Sequence, residues 1–173
     1  MTRFSLRQLR LRPGEEHRET LELELEPLTL GGVIYVPTPR VVPAELVVQR
    51  AQSGDVFRLR FATRVEGPCM RCLGSATVEA AVDAQEYESS DPDAPDELRS
   101  EYVADGELDV AAWGRDQVAL GLPEPILCRP DCAGLCPVCG KNLNDEPHEH
   151  EEVVADPRWA ALEALRTDAA GED

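Results

Sequence analysis

A chain of 173 residues has room for one domain of ordinary size with or without a small appendage, which excludes a large barrel or a doubly wound dinucleotide-binding enzyme. Its 34 Asp and Glu against 17 Lys and Arg give a formal charge of -17, so the average surface repels a phosphate backbone. Hydrophobic residues make up 42%, the level of a folded chain, and the longest uncharged stretch, Pro27 to Pro39, is interrupted by Pro and Gly, which argues against a membrane-spanning helix.

The charge is unevenly placed. Residues 1–64 hold ten Arg and eight acidic residues, whereas residues 65–173 hold seven basic and 26 acidic ones. Arg3, Arg7, Arg10 and Arg12 fall in the first twelve residues without an acid. That cluster reads either as the solvated face of a short element or as a small basic arm for nucleic acid, with the acidic body facing a basic protein. Met1-Thr2-Arg3-Phe4 runs into charged residues without an apolar segment, so no secretory signal is expected.

Phe4, Leu6, Leu9 and Leu11 precede a turn signal at Pro13-Gly14. Strict alternation from Leu21 to Glu26 predicts a half-buried strand, Leu inward and Glu outward. Residues 27–43 read as irregular, with a short apolar run at Val33 to Val36. Two β-rich runs, 44–50 and 55–65, flank Gln52-Ser53-Gly54-Asp55 and predict a hairpin; a further strand is expected over 76–87. The acidic, proline-broken stretch 88–100 reads as a loop. Asp109 is the expected N-cap of a helix over 110–120, stopped by Pro123 and Pro125. Asp156-Pro157 opens a second expected helix with Trp159, Leu162 and Leu165 on one face.

The expected fold is therefore α+β: a mostly antiparallel β-sheet or open barrel with two or three short helices and a zinc-stapled C-terminal segment. The expected divisions are a β-rich domain over 1–127 with the acidic loop 88–100 and the helix 109–121, a cysteine-rich segment with the C-terminal helix over 128–166, and a disordered tail over 167–173.

Six cysteines carry the chemistry, as Cys69-x2-Cys72 and Cys128-x3-Cys132-x3-Cys136-x2-Cys139. Without a secretory signal, and in a chain able to build a core, metal binding is favoured over a disulfide framework. Two residues between thiolates let one tight turn aim both sulfurs at a tetrahedral ion, and Gly140 tolerates the left-handed backbone after Cys139. His148 and His150 lie just beyond, and an i, i+2 pair on extended backbone points both rings to one side. Cys136, Cys139, His148 and His150 would form one site and Cys69, Cys72, Cys128 and Cys132 a second, giving one or two structural Zn2+. A local four-thiolate site over 128–139, or Cys69 and Cys72 with Cys136 and Cys139, are the competing assignments. The Cys132-x3-Cys136-x2-Cys139 spacing also matches a three-cysteine iron-sulfur motif, which needs a larger barrel than this chain can supply. Catalytic zinc keeps an open position, and no Gly-rich phosphate loop, Gly-x-Ser-x-Gly or His-Glu-x-x-His occurs; His17, in a charged turn, reads as solvated. No catalytic residue and no small-molecule substrate are expected.

Pro68-Cys69-Met70-Arg71-Cys72-Leu73, the stretch Asp109 to Pro123, Cys128 and Cys132, the block Gly134-Leu135-Cys136-Pro137-Val138-Cys139-Gly140 to Asn144, and Asp156-Pro157-Arg158-Trp159 with Leu162 and Leu165 together resemble the YceD family of large ribosomal RNA subunit accumulation proteins. The resemblance implies a bacterial, cytoplasmic, non-enzymatic role in producing or stabilising 23S rRNA, with precursor 23S rRNA or a large-subunit assembly intermediate as partner. Where the family often has Cys-x-Cys after the Asn-Leu-Asn, this chain has His148-Glu149-His150, one zinc ligand type replacing another. The alternative reading is an acidic, chaperone-like module for a basic ribosomal protein.

Overall fold

The computed structural model describes residues 2–150, and the chain divides into two compact units, Met1–Cys132 and Ala133–Asp173. The first unit contains β1 (Arg3–Ser5), β2 (Glu16–Glu24), β3 (Leu28–Leu30), β4 (Val33–Thr38), β5 (Val41–Arg50), β6 (Gly54–Pro68), β7 (Ser75–Ser89), β8 (Val103–Ala104), β9 (Glu107–Asp109) and one helix, α1 (Val110–Gly121). All strand pairs are antiparallel.

The spine is β6, 15 residues long. Along one side it pairs β5 near its start (Arg50↔Asp55 to Glu45↔Arg60) and β4 near its end (Thr38↔Arg64 to Val36↔Glu66); β7 covers the other side from Gly54↔Ser89 to Pro68↔Ser75. Beyond them, β2 extends the sheet from β5 and β3 from β4. Period-two alternation on β6 sends Phe57, Leu59, Phe61 and Val65 into the core and Arg58, Arg60 and Arg64 to the opposite face. There Arg58 makes two 2.7 Å bonds to Asp83, Arg60 lies 3.3 Å from Asp83, and Arg64 lies 3.4 Å from Glu79. Bonds from Arg58, which outweigh the opposing effect of burial, and then from Arg60 hold the Asp83 carboxyl down to about 2. This row of arginines is thus occupied within the sheet.

The inner face is covered by α1, whose N-cap Asp109 accepts a 3.0 Å bond from Ala112 N, satisfying one of the unpaired donors of the first turn. Trp113 is fully buried. Gly114 sets the approach of helix to sheet, because a Cβ there would stand 2.9 Å from Leu23 Cδ2 and 3.5 Å from the Phe61 ring. A small sheet, β1-β9-β8, leads into the helix and buries Leu108 beneath Phe4↔Leu108 pairing.

Three expectations need correction. Residues 27–43 are not irregular: β3 and β4 form a hairpin around Gly31-Gly32, both at positive φ (57° and 81°), the backbone that a two-residue turn between twisted strands requires. One α-helix is present among the described residues, not two or three. The N-terminal leucines and Asp96–Leu98 yield only three-residue 3-10 turns, and the helix expected after Asp156 lies outside the described residues. His17 sits in β2, 3.2 Å from Glu19 and 5.8 Å from the Phe4 ring, rather than in a turn.

Candidate metal centres

The turn between β6 and β7 is a knuckle. Cys69 N donates to Gly74 O at 2.7 Å and Leu73 N to Cys69 O at 3.0 Å, while Arg71 N points at Cys69 Sγ from 3.4 Å. The second Cys-x2-Cys repeats this wiring: Cys136 N donates to Lys141 O at 2.8 Å and Gly140 N to Cys136 O at 2.9 Å. Each knuckle needs a left-handed residue directly after its second cysteine, and the two differ there. Gly140 takes φ 73° without a Cβ penalty, whereas Leu73 takes φ 60° with its side chain 67% exposed. Leu73→Gly is expected to stabilise the first unit by about 0.5–1 kcal/mol, because a side chain in that region costs about 1–2 kcal/mol and glycine recovers part of it. A denaturant midpoint unchanged or lowered would show that the leucine side chain repays its strain through contacts.

Residues after α1 bring the second half of the first centre. Met70 N donates to Ile126 O at 2.9 Å, Ile126 N approaches Met70 Sδ at 3.4 Å, and Arg71 Nη1 donates to Cys132 O at 3.0 Å. These bonds fasten the segment 126–132 to the knuckle, and they place Cys69, Cys72, Cys128 and Cys132 with all four sulfurs within 4.8 Å of one another. Cys69 and Cys132 sulfurs are 3.8 Å apart and those of Cys72 and Cys128 3.6 Å. A disulfide requires about 2.05 Å. Metal–sulfur bonds of about 2.3 Å in a tetrahedron put sulfurs about 3.8 Å apart, so the spacing fits a four-thiolate ion site. Cys69, Cys72 and Cys132 are buried; Cys128 is exposed as a residue although its sulfur meets the cluster.

The protonation of this cluster is divided. Burial is the largest influence on Cys69 and opposes ionisation, yet the N–H groups of Cys72, Arg71 and Cys128 together outweigh it and bring the thiol to about 6. Burial, then the neighbouring thiols of Cys132, Cys72 and Cys69, pushes Cys128 up to about 12. Four sulfurs in contact cannot all carry charge unaided. A divalent cation among them is the neutralising partner the donor set fits.

In the second unit, Cys136, Cys139, His148 and His150 likewise have donor atoms within 4.8 Å. Cys139 Sγ lies 3.1 Å from His148 Nε2, and His148 Nδ1 donates to Glu146 O at 2.7 Å. That outer bond fixes the imidazole orientation and leaves Nε2 as the inward donor, the usual arrangement of a metal-ligating histidine. The two rings stand edge-on with centroids 4.9 Å apart. The Glu146 carbonyl, then Cys136, raises His148, while the Cys139 N–H, opposed by burial and aided by Val138 N–H, lowers Cys136 to about 6. The two groupings are those paired as local Cys-x2-Cys and Cys-x3-Cys or His-x-His sets; the competing partitions are not the ones assembled.

Several supporting residues carry no ligand signature. Asn144 Oδ1 accepts from Ala133 N at 2.8 Å and Asn144 Nδ2 donates to Asn142 Oδ1 at 2.7 Å, bracing the loop that returns the histidines to the knuckle. Met70 and Arg71 act through backbone and side chain alike and Glu146 through its carbonyl, and only the short polar Asn-x-Asn beside a Cys-x2-Cys-Gly hinted at such bracing in the sequence.

Two of the N-terminal arginines lie beside the small sheet. Arg3 lies 3.8 Å from Glu107 and 3.6 Å from Asp109 within the small sheet, and Arg7 lies over Gly106, where a Cβ would meet its Nε at 2.8 Å. Arg3, Arg7, Arg10 and Arg12 are all exposed.

The fold and the two donor sets define a small, mostly antiparallel α+β protein with two soft-ligand metal-type centres built on matching knuckles. The chain belongs to the YceD family, described as large ribosomal RNA subunit accumulation protein, whose profile matches residues 57–166. It is 35% identical over 135 residues to uncharacterised proteins of Mycobacterium tuberculosis and Mycobacterium bovis, covering 75% of this chain and 64% of theirs; the chain thus spans under two thirds of those relatives. A maize protein named large ribosomal RNA subunit accumulation protein YCED homolog 1, chloroplastic, is 37% identical over 71 residues, 41% of this chain and 22% of that one. No solved structure matches. No helix among the described residues is long and apolar enough to cross a membrane.

Proposed function

We propose that this chain is a non-catalytic cytoplasmic factor that supports 23S rRNA accumulation and large-subunit assembly, its fold held by two structural Zn2+ ions. The observation that carries this reading is that all eight soft ligands, Cys69 to His150, fall inside the stretch matched by the family profile, and each set closes on four protein donors. Thiolate and imidazole donors at these spacings favour zinc over calcium or magnesium. Zinc there supplies folding energy and cross-linking.

Contact with precursor 23S rRNA or an assembly intermediate is assigned to the N-terminal arginines, with Arg7, Arg10 and Arg12 free to reach phosphates and Arg3 contributing mainly to the small sheet. Binding to a large-subunit rRNA fragment, measured across a salt series, is expected to weaken steeply as salt rises. Arg7→Ala/Arg10→Ala/Arg12→Ala is expected to reduce the log–log slope by about 2, since each phosphate contact on single-stranded RNA contributes about 0.7. An unchanged slope and affinity would remove these residues from the interface.

A second reading, an acidic module that holds a basic ribosomal protein, is favoured by the 26 acids against seven bases in residues 65–173. Such a module would suppress the partner's nonspecific binding to RNA by covering its charge.

A further inference from the structure

The β3–β4 hairpin ends the sheet on the side of α1, and among the described residues β3 pairs with β4 alone. Between β3 and the second half of α1 runs a groove. One section, of about 290 Å³, is lined by Leu28, Thr29, Leu30, Asp116 and Ala119. A second section, of about 300 Å³, shares Leu30 and Ala119 and continues past the hairpin turn to Met70 and Ile126 beside the first metal centre.

The strand edge facing this groove has backbone groups to offer. Leu30↔Val33 flanks the two-residue turn and is therefore a hydrogen-bonded pair, so the next pair, Thr29↔Ile34, is not. Thr29 N–H and C=O consequently face away from β4, toward the open edge. Such an edge beside a helix accepts an extended segment as an added strand, main-chain bonds giving affinity and alternate side chains filling the apolar sections. Leu30, Ala119, Leu122 and Ile126 supply that apolar floor, and Met70 is 45% exposed over it.

Charge selects the occupant. Asp116 and Glu124 line the groove and Glu26 stands at its adjoining end. Arg115, the one arginine among the described residues lining it, bonds Asp116 at 2.8 and 3.0 Å and offsets its charge, so Glu124 and Glu26 carry the negative excess. An acidic rim around an apolar floor fits a peptide that alternates aliphatic and basic residues and repels nucleic acid.

We propose that this groove is a docking site for an extended segment of a basic partner protein, added as a strand on β3 with its aliphatic side chains against Leu30 and Ala119. It rests on the protein-binding reading and gives that reading a place on the molecule.

The test is fluorescence anisotropy of the full chain with a labelled Lys-Val-Lys-Val-Arg-Val-Lys peptide, alongside the same peptide N-methylated at alternate amides. Thr29→Pro removes the outward N–H while sparing the hairpin's own bonds, since proline is tolerated where a strand faces an open edge. Ala119→Arg blocks the apolar floor and sets a positive charge beside the acidic rim without touching β3. Both variants, and N-methylation, are expected to weaken binding at least tenfold, with retained metal content and near-native circular dichroism confirming the fold. Peptide binding that stays within twofold in Ala119→Arg and for the N-methylated peptide would overturn the groove while leaving a diffuse acidic surface as the protein-binding site. No peptide binding by the unaltered chain would overturn the groove and the acidic-module reading together. A labelled 20-nucleotide RNA lost on the same two substitutions would overturn it in favour of nucleic acid, and a concentration-dependent dimer abolished by them would assign the edge to a second copy of this chain.

Discussion

Elemental mass spectrometry of the purified chain is expected to find two zinc ions per molecule, falling to one in His148→Ala/His150→Ala and to one in Cys69→Ser/Cys72→Ser. The two losses are expected to differ in their structural cost. The first centre joins residues 63 apart in sequence, the knuckle at Cys69 and the segment at Cys132, whereas the second closes a loop within residues 136–150. Cross-linking a loop of that longer length restrains the unfolded chain by about 4 kcal/mol on the chain-entropy account used for disulfides, and bonding of a structural zinc reaches about 10 kcal/mol in small peptides. Cys69→Ser/Cys72→Ser is therefore expected to destabilise the first unit by about 4 kcal/mol or more, read as a lower denaturant midpoint. The histidine variant is expected to leave that transition in place, because its ligands lie in the other compact unit. Two ions retained in the histidine variant would remove His148 and His150 as ligands. Iron with a brown colour would replace the zinc assignment and reopen redox chemistry.

Trp113→Ala is expected to cost about 3–5 kcal/mol, the range for emptying an aromatic site in a packed core. Trp113 is fully buried, its ring stacks with Tyr102 at 6.3 Å between centroids, and it anchors α1 against the sheet. The thermal midpoint is expected to fall by about 6–20 °C, at the usual 2–4 °C per kcal/mol for a chain of this size. Trp113→Phe supplies the contrast. Among the described residues the indole Nε1 is buried without a hydrogen-bond partner, so the phenyl ring gives up some contact area but sheds a desolvated donor whose burial costs about 1–3 kcal/mol. Its net cost is expected to stay below about 2 kcal/mol. Equal losses for Ala and Phe would mean that the indole N–H is satisfied in solution, and metal content unchanged in both would separate core packing from the zinc centres.

Comparison of sequence with structure turns on range. The β5–β6 hairpin and the β7 strand were legible because alternation over many residues reports a strand with one wet face, and Arg58 and Arg60 on the side opposite Phe57 and Leu59 show it directly. Asp109 was legible as a cap because the bond it makes is local, to Ala112 three residues on. The β3–β4 hairpin was not read, since Pro27, Pro37, Pro39 and Pro43 outweighed Gly31-Gly32. Strands of two or three residues, β1, β8 and β9, contain too few positions for any period to show. The arginine cluster at the N-terminus looked continuous in sequence, yet the partners of Arg3, Glu107 and Asp109, arrive from more than a hundred residues away.

By itself the sequence determined the types of the candidate donor residues, the two matching Cys-x2-Cys turns, the acidic bias of residues 65–173 and the residues that carry membership of the YceD family, because all of these are properties of composition or of neighbours a few positions apart. Only the tertiary structure decided that Cys128 and Cys132 meet Cys69 and Cys72 while the histidines meet Cys136 and Cys139. It also decided that α1 faces an open strand edge across an acidic groove. The physical reason is the same in both cases: which thiols come together and which edge faces a helix depend on how β6, β7 and α1 pack, and packing is set by burial of side chains far apart in the chain.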